Sequence, residues 1–269
     1  MRMGHHLYVF DDVRSTNSEA MALAQAGAEH GTVVVADCQT AGRGRLARQW
    51  YSPRGMNLYC SILIREKGST TDTAEWLSWI PLATALATAE AVQTVSSIAL
   101  SLKWPNDLIY DEKKVGGILC ESSHPVSRNP IVVIGIGLNV NLPQESLPKE
   151  LQETATSLFE IVKSPLDRNR LLAQLLNELE PTLNELTGYG VDRLRNAYLR
   201  RCATLGKQVR VIMGANKEVI GRAESISRSG ALQLRTSCSS TMGTAPDLIE
   251  IHAADVIHLR GITANLFSL

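Results

Sequence analysis

The sequence has no net charge, because its 27 Lys and Arg residues are balanced by 27 Asp and Glu residues. A chain without a basic excess has no global field that would attract nucleic acid or an acidic membrane surface. It also lacks an apolar run long enough to cross a bilayer, and its first residues lack the apolar centre of a signal peptide. We therefore expect a cytoplasmic protein that binds neither DNA nor a membrane.

Cysteine patterns typical of disulfide frameworks and zinc sites are also absent. The cysteines are widely spaced, with no Cys-x-x-Cys pair and no cluster with histidine. We therefore expect reduced thiols and no zinc. The five cysteines are Cys38, Cys60, Cys120, Cys202 and Cys238.

Two common nucleotide-binding motifs are missing. No Gly-x-x-x-x-Gly-Lys-Ser/Thr run occurs, which excludes a P-loop. Gly135 and Gly137 end an apolar strand, but no third glycine opens a helix after them, so the Rossmann motif is excluded too. A nucleotide would have to be bound by another architecture.

Residues 39–50 combine glycines and arginines between two apolar runs at residues 32–36 and 58–64. Glycine allows close approach of the backbone to a ligand, and the arginine fork matches phosphate or carboxylate oxygens. This arginine loop therefore predicts a site for an anionic small molecule, although arginines in a loop are also commonly solvated surface charges. Its glycines and arginines are Gly42, Arg43, Gly44, Arg45 and Arg48.

Ser15, Thr16 and Asn17 precede an alanine-rich segment that is predicted to be a helix through Ala26. Side chains of this type cap helices, but three in succession exceed what one helix end requires. They are therefore also candidates for orienting a polar ligand.

A proline interrupts the strand predicted over residues 100–110, and the interruption presents the side chains of Asn106 and Asp107. In the strand that follows, Gly116 and Gly117 are adjacent, which weakens a strand unless a ligand or a packed element lies against the backbone. Lys114 can reach the same volume, but a lysine at a hairpin turn is also commonly solvated.

Apolar spacing predicts helices over residues 76–95, 168–186 and 191–201, with Pro181 kinking or splitting the second. The pattern changes near residues 202–206, where short strand-like runs replace helices and predict a small β-barrel. We expect these strands at residues 208–213, 219–225, 231–236 and 248–252.

Taken together, five ordered motifs closely resemble those of the biotin protein ligase family, over a region from about Val9 to the C-terminus. The resemblance is to the ligase-only form, because no helix-turn-helix precedes the first motif. The motifs are Ser15-Thr16-Asn17, Gln39-Thr40-Ala41-Gly42-Arg43-Gly44-Arg45, Lys103-Trp104-Pro105-Asn106-Asp107, Lys114-Val115-Gly116-Gly117-Ile118-Leu119 and Gly135-Ile136-Gly137-Leu138-Asn139.

This resemblance implies an α+β fold, with a class II synthetase-like mixed sheet flanked by helices and followed by an SH3-like β-barrel. The expected domains are a biotin- and ATP-binding catalytic domain over residues 1–201 and the barrel over residues 202–269. The implied reaction joins biotin and ATP, with Mg²⁺, to give biotinyl-5′-AMP, and then transfers biotin to a lysine of a biotin carboxyl carrier protein. A homodimer is expected by analogy.

The resemblance also implies roles for individual residues. Arg43 and Lys114 would meet the carboxylate and the α-phosphate, while Arg45 and Arg48 would meet the phosphates. Asp107 would either organise Mg²⁺ or receive the proton of the acceptor lysine. The residues expected at biotin are Ser15, Thr16, Asn17, Gln39, Gly116 and Gly117, and those expected near the adenylate are Trp50 and Asn139, with Gly42, Gly44 and Asn106 completing the binding set.

One position departs from the family pattern Gly-Arg-Gly-Arg-x-Gly-Arg, because Ala47 stands where the last glycine is expected. Alanine disfavours a positive φ, so we expect a differently shaped turn before Arg48 and a weaker ligand role for that arginine.

Two other functions fit parts of the sequence. A lipoate or octanoate ligase of the same superfamily would bind a fatty acyl chain instead of biotin. A nucleic-acid-binding module is the alternative from another class, because small β-barrels bind nucleic acid and this one contains Arg222, Arg228 and Arg235.

Overall fold

A computed structural model describes residues 3–65, 73–123, 131–213, 217–236, 247–252 and 254–259 of the 269-residue chain. Four of the five cysteines lie in these ranges and are free thiols, while Cys238 lies outside them. No helix in the described ranges is both long enough and apolar enough to cross a membrane.

The first part of the chain forms a seven-stranded mixed sheet with the strand order β1-β2-β3-β7-β6-β5-β4. β1 and β2 are parallel, and every other neighbouring pair is antiparallel. The elements up to the last of these strands are β1 (Leu7–Val13), α1 (Thr16–Gln25), β2 (Val33–Gln39), β3 (Leu58–Arg65), α2 (Thr73–Ser96), β4 (Ser101–Lys103), β5 (Asp107–Tyr110), β6 (Lys113–Ser123) and β7 (Ile131–Leu138).

Helices cover the two faces of this sheet. Successive side chains of a strand point to opposite faces, and on β3 the buried Leu63 packs with Ala20 and Ala24 of α1. Its neighbours Ile62 and Ile64 belong to the larger core that contains α2. The helices that follow the sheet in the chain are α3 (Leu158–Val162), α4 (Arg168–Tyr189) and α5 (Asp192–Arg201).

α4 has the amphipathic pattern that its sequence predicts. Leucines three and four residues apart are fully or almost fully buried against α2 and α5. Asp167 caps the helix by accepting hydrogen bonds from the N–H groups of Asn169 and Arg170, at 2.8 and 3.2 Å. Pro181 lies inside the helix, which nevertheless runs without a break from Arg168 to Tyr189.

The C-terminal part forms a five-stranded antiparallel sheet with the order β11-β10-β9-β8-β12. Its fifth strand, β12, was not expected from the sequence. The five strands are β8 (Gln208–Met213), β9 (Lys217–Ile226), β10 (Leu232–Thr236), β11 (Leu248–Ile251) and β12 (Asp255–His258).

Two tryptophans attach the C-terminal sheet to the first part of the chain. The indole N–H of Trp79, on α2, donates to the Arg228 carbonyl at 2.7 Å, and that of Trp104 donates to the Gly230 carbonyl at 3.0 Å. Both indoles are at most 1% exposed. These contacts fix the C-terminal sheet beside the turn between β4 and β5, where Asn106 and Asp107 lie.

Candidate active site

A cavity of about 550 Å³ opens on the face of the large sheet that carries α1. It exists because glycines leave this part of the sheet without side chains. Gly117 on β6 pairs directly with Gly137 on β7, and Gly135 pairs with Leu119 on the same face. The space above these positions is available to side chains of the surrounding loops and to a ligand.

The cavity brings together most of the site residues that the sequence predicts. Gly42 and Gly116 do not line it. A Cβ atom at Gly42 would lie 2.5 Å from the Trp50 carbonyl oxygen, and one at Gly116 would lie 2.5 Å from a methyl group of Leu138, so both glycines permit close packing behind the lining. The predicted residues that do line the cavity are Ser15, Thr16, Asn17, Gln39, Arg43, Gly44, Arg45, Arg48, Trp50, Asn106, Asp107, Lys114, Gly117 and Asn139.

One end of the cavity is a network of neutral polar groups. Gln39 Oε1 accepts hydrogen bonds from the Thr16 N–H at 2.9 Å and from the Thr16 hydroxyl at 3.2 Å. The hydroxyl of Ser61, on β3, lies 2.8 Å from Thr16 Oγ1 and 2.6 Å from Asn17 Oδ1. Ser15 precedes α1 without capping it through its side chain. Thr16 and Asn17, in the first turn of α1, therefore use their side chains for this network, and Ser15 is not used as a side-chain cap.

Asn17 depends on Glu121 and Ser61, two residues that the sequence analysis did not select. Its amide donates to Glu121 Oε2 at 2.8 Å and to the Leu119 carbonyl at 3.1 Å. A Cβ atom at Gly135 would lie 2.1 Å from Asn17 Oδ1, so this position has to be glycine for Asn17 to occupy its place. The sequence did contain a signal for Ser61, which is a polar residue within an apolar strand.

The arginine loop of residues 39–50 is a closed turn. The Gly44 N–H donates to the Arg48 carbonyl at 2.7 Å, and the Trp50 N–H donates to the Gly42 carbonyl at 2.9 Å. Ala47, at the position expected to be glycine, has a φ of +59°, and its neighbour Leu46 has a φ of +55°. The backbone thus takes the conformation that glycine favours without having glycine there.

Replacing Ala47 by glycine is expected to stabilise the closed turn by about 1 kcal/mol, because a left-handed conformation costs an L-residue about 1–2 kcal/mol and glycine's extra freedom in open states offsets part of the gain. The rate of proteolytic cleavage within residues 39–50, measured without ligand, should fall severalfold. Ala41→Gly is the matched control, since φ at Ala41 is not positive; that variant should be cleaved faster. Faster cleavage of Ala47→Gly would contradict the role assigned to the backbone strain.

The three arginines of the loop contact three different anchors. Arg43 Nη2 lies 2.7 Å from Glu121 Oε2, and Arg45 Nη1 donates to Asn106 Oδ1 at 3.2 Å. Arg48 forms an ion pair with Asp255 of β12. The sequence analysis did not select Asp255, because it did not predict the strand β12 on which Asp255 lies. The loop is therefore connected to β6, to the turn before β5 and to the C-terminal sheet.

Lys114 lines the cavity between Asp107 and Trp50. Its ammonium is 2.5 Å from Asp107 Oδ1 and 5.3 Å from the centre of the Trp50 ring. The contact with Asp107 does not have the direction of a hydrogen bond, so we describe it as an ion pair. The strand position of Lys114 is fixed by its N–H, which donates to the Thr154 carbonyl at 2.8 Å.

The Trp50 ring lies directly on the glycine surface of the sheet. A Cβ atom at Gly137 would lie 2.6 Å from the ring, and one at Gly117 would lie 3.5 Å from it. The Trp50 indole N–H is buried without a hydrogen-bond partner among the described residues. Trp50 therefore carries a buried donor without a described acceptor, at the lining of the cavity.

A cluster around His258 joins the C-terminal sheet to the turn between β5 and β6. His258 Nδ1 lies 3.0 Å from a carboxylate oxygen of Glu112, and Nε2 lies 3.2 Å from Thr204 Oγ1. Burial, together with the neighbouring cations Lys103 and Lys207, lowers the pKa of His258 below 6.5, although Glu112 opposes this shift. Burial alone would raise the pKa of Glu112, but hydrogen bonds from Lys207 and His258 outweigh it and lower that pKa to about 2.

Thermal stability is expected to fall as the pH decreases below 6.5. Both groups hold protons more weakly in the folded chain than in the unfolded chain, so acid favours unfolding. The contribution of His258 to stability is complete above pH 6.5 and is lost as the pH falls toward its lower folded pKa. The contribution of Glu112 is lost at lower pH, between pH 4.5 and about 2. Melting temperatures across this range should vary less in His258→Gln than in the unmodified protein. Equal slopes in the two proteins would contradict the assignment.

Comparison with known proteins gives consistent results for both parts of the chain. Residues 9–141 match the biotin/lipoate A/B protein ligase family, and residues 204–259 match the biotin protein ligase C terminal domain. The biotin--[acetyl-CoA-carboxylase] ligase of Mycobacterium tuberculosis is 34% identical over 250 residues, which are 91% of this chain and 86% of that protein. The bifunctional ligase/repressor BirA of Bacillus subtilis is 33% identical over 87% of this chain and 71% of its own length.

Solved structures show the same fold. The biotin protein ligase from Aquifex aeolicus in complex with biotin and ATP superposes with a TM-score of 0.79 and is 29% identical. The match covers 95% of this chain and 100% of that one. These results confirm the predicted fold class of a mixed sheet with flanking helices and a small C-terminal β unit.

Proposed function

The chain belongs to the biotin protein ligase family, and from this membership we propose that it uses ATP to activate biotin as biotinyl-5′-AMP and transfers biotin to a lysine of a biotin carboxyl carrier protein. The observation that carries the proposal is a single cavity in which a neutral polar end adjoins a cationic centre. A substrate that fits has an uncharged polar head and a carboxylate that meets a phosphate.

The neutral end suits the ureido ring of biotin. That ring presents two N–H donors and one carbonyl acceptor, and Thr16, Asn17 and Gln39 offer hydroxyl and amide groups that can pair with both kinds. Hydrogen bonds between Thr16 and Gln39, and between Ser61 and Asn17, hold these side chains in place before a ligand enters, which limits the entropy lost on binding. Ser15 and the backbone at Gly117 complete the proposed biotin site, and the expected Gly116 lies behind the lining instead.

In the first step, a biotin carboxylate oxygen attacks the α-phosphorus of ATP, and the bond to the β-phosphate oxygen breaks to release pyrophosphate. Negative charge grows on the oxygens around the α-phosphorus, so fixed cations accelerate the step. We assign this stabilisation to Lys114 and Arg43, with Arg45 and Arg48 at the phosphates and with Trp50 and Asn139 on the adenylate side. Burial lowers the pKa of Arg45, in keeping with a cation that is partly removed from water.

In the second step, the amine of the acceptor lysine attacks the carbonyl carbon of the mixed anhydride, and AMP leaves. The attacking amine must lose a proton, and we assign its acceptance to Asp107, a carboxylate of the cavity lining. Its ion pair with Lys114 keeps it next to the reacting groups.

We propose that Mg²⁺ enters with ATP as part of that substrate. Magnesium is commonly held by substrate phosphates with one or two carboxylates. The described residues contain no group of three or more His, Cys, Asp or Glu side chains that could hold a metal ion. Asp107 is already paired with Lys114, so a resident metal does not fit, and no step is assigned to one.

The proposal is tested by incubating the protein with saturating biotin, ATP and Mg²⁺, and by following biotinyl-5′-AMP and pyrophosphate. A purified carrier domain added afterwards should gain the mass of biotin on one lysine. Absence of the adenylate from the first mixture would refute the proposed function.

An octanoate or lipoate ligase is the second candidate, because the matched family includes lipoate ligases. The polar end argues against this candidate. An acyl tail has no hydrogen-bond donor or acceptor to offer Thr16, Asn17 and Gln39. Calorimetry with biotin and octanoate side by side distinguishes the two candidates.

The nucleic-acid-binding alternative has less support from the C-terminal sheet. Arg228 pairs with Asp192 at 3.0 Å, and Arg235 pairs with Glu224 at 2.5 Å. Paired arginines offer less positive charge to phosphates. Binding to DNA that weakens steeply with salt, without turnover of ATP, would favour this alternative.

A further inference from the structure

The cavity contains a lysine that the proposed reaction has not used. Lys103 ends β4 and pairs through the backbone with Asp107 at the start of β5, so both side chains lie on the same face of the sheet. Lys103 lines the cavity and is only partly exposed. Burial is the main influence on its pKa and lowers it, against the opposing effect of Asp107.

The Lys103 ammonium has no hydrogen bond and no ion pair within 4.0 Å to any residue in the described ranges. Other cations of the cavity do have carboxylate partners: Lys114 pairs with Asp107, and Arg48 pairs with Asp255. Arg45 resembles Lys103, since its only such contact with a described residue is the neutral amide of Asn106. A half-buried cation with no carboxylate in direct contact is costly, which indicates that an anion completes the site.

The lining residues of the cavity come from three directions. The neutral polar end lies at the start of α1, and a second side is formed by Leu147, Leu151 and Thr154. The third side, which we call the β4–β12 side, consists of Lys103, Asp107, Asp255 and His258. A substrate pair with three parts, an acid, a nucleoside and a leaving diphosphate, matches this division.

In-line displacement decides which part goes where. The carboxylate attacks the α-phosphorus from the neutral polar end, so the leaving group departs on the side away from that end. Lys114 lies on β6 and Lys103 on β4, the edge strand of the sheet, so Lys103 is farther from the neutral polar end, which lies over β3 and β7. Arg45 donates to Asn106 in the turn between β4 and β5, so it lies beside the same edge of the sheet.

We infer that Lys103, together with Arg45, binds the β- and γ-phosphates of ATP and retains their charge as pyrophosphate leaves. This inference rests on the proposed function and adds one residue to it. Lys103 then acts in adenylate formation and in its reversal, in which a pyrophosphate oxygen attacks the α-phosphorus and biotin leaves as the carboxylate. It does not act in transfer from the finished adenylate to the acceptor lysine.

The test uses Lys103→Met, which keeps the length of the side chain and removes its charge. Supplied biotinyl-5′-AMP is converted in one assay to ATP and biotin with pyrophosphate, and in another to biotinylated carrier domain. We expect the half-saturating pyrophosphate concentration to rise roughly 10-fold to 100-fold, the usual effect of losing a hydrogen bond to a charged group, while transfer to the carrier is unchanged. Lys103→Arg should restore pyrophosphate use, and Lys163→Met, at a side chain that is 72% exposed, is the control.

An unchanged half-saturating concentration would overturn the inference, as would an equal loss in both assays, which would indicate a structural role. Failure of Lys103→Arg to restore pyrophosphate use would also count against it. The proposed function fails in a different way, because the unmodified protein would then make no adenylate and would biotinylate no carrier domain.

Discussion

Replacing Lys114 by alanine is expected to slow the formation of biotinyl-5′-AMP by about 10²-fold to 10³-fold, the usual cost of removing one preorganised group that stabilises a developing negative charge. Lys114 suits this role because its backbone is fixed to Thr154 and its ammonium is held between Asp107 and the Trp50 ring. The side chain does not have to reorganise when the charge develops. Single-turnover measurement of adenylate formation gives the rate.

Loss of the Lys114 cation also leaves Asp107 without its partner, so stability has to be measured in parallel. Asp107→Asn in the Lys114→Ala background removes the unpaired carboxylate. If the double variant regains its melting temperature but stays slow, the rate effect belongs to the missing cation. A single variant that forms the adenylate at the unmodified rate would refute the assigned role.

Replacing Gly135 by alanine is expected to weaken biotin binding by about 100-fold, because a new methyl group would displace Asn17 and break two or more buried hydrogen bonds worth about 1–3 kcal/mol each when left unsatisfied. The added Cβ atom would lie 2.1 Å from Asn17 Oδ1 and 2.8 Å from its Cγ. Asn17 would lose its contacts with Ser61 and Glu121, and Glu121 also holds Arg43. Calorimetric titration with biotin measures the effect.

Gly188→Ala is the matched control for this substitution. Gly188 lies inside α4, and a Cβ atom there would meet nothing within 4 Å. That variant should bind biotin normally and gain up to about 1 kcal/mol of stability, the difference between alanine and glycine in a helix. Adding Asn17→Ala to Gly135→Ala should relieve the collision and restore stability without restoring binding. Normal biotin affinity in Gly135→Ala would show that Asn17 is not part of the site.

Regular elements of this fold could be read from the sequence where the pattern was strong. The leucines of α4 and the apolar run of β3 predicted the ends of these two elements to within a few residues. β12 was missed because it has four residues and begins with Asp255, a residue type that is uncommon in strands. Its omission hid both Asp255 and His258. The division of the chain at residue 201 stays a prediction, as does the homodimer.

Within the site, the sequence identified residue types but not their partners. The arginine loop, Lys114 and Asp107 could be selected because charged groups and glycines cluster in their motifs. That Arg43 pairs with Glu121, 78 positions away, depends on strand order and register, which no local pattern contains. Ala47 illustrates a further limit, because the surrounding hydrogen bonds hold it in a conformation that its own preference disfavours.

The four tryptophans of the chain differ in their surroundings, which gives the protein an intrinsic fluorescent probe of ligand binding. Three of the four, Trp76, Trp79 and Trp104, are at most 1% exposed and donate their indole N–H to a fixed acceptor. Trp50 differs, since its ring lies in the cavity beside an ammonium and its N–H has no acceptor among the described residues. Trp76 and Trp79 do not line the cavity and give a constant background, whereas a ligand in the cavity changes the emission of Trp50 and of Trp104, which lines it as well, so substrate entry can be followed in real time without a label.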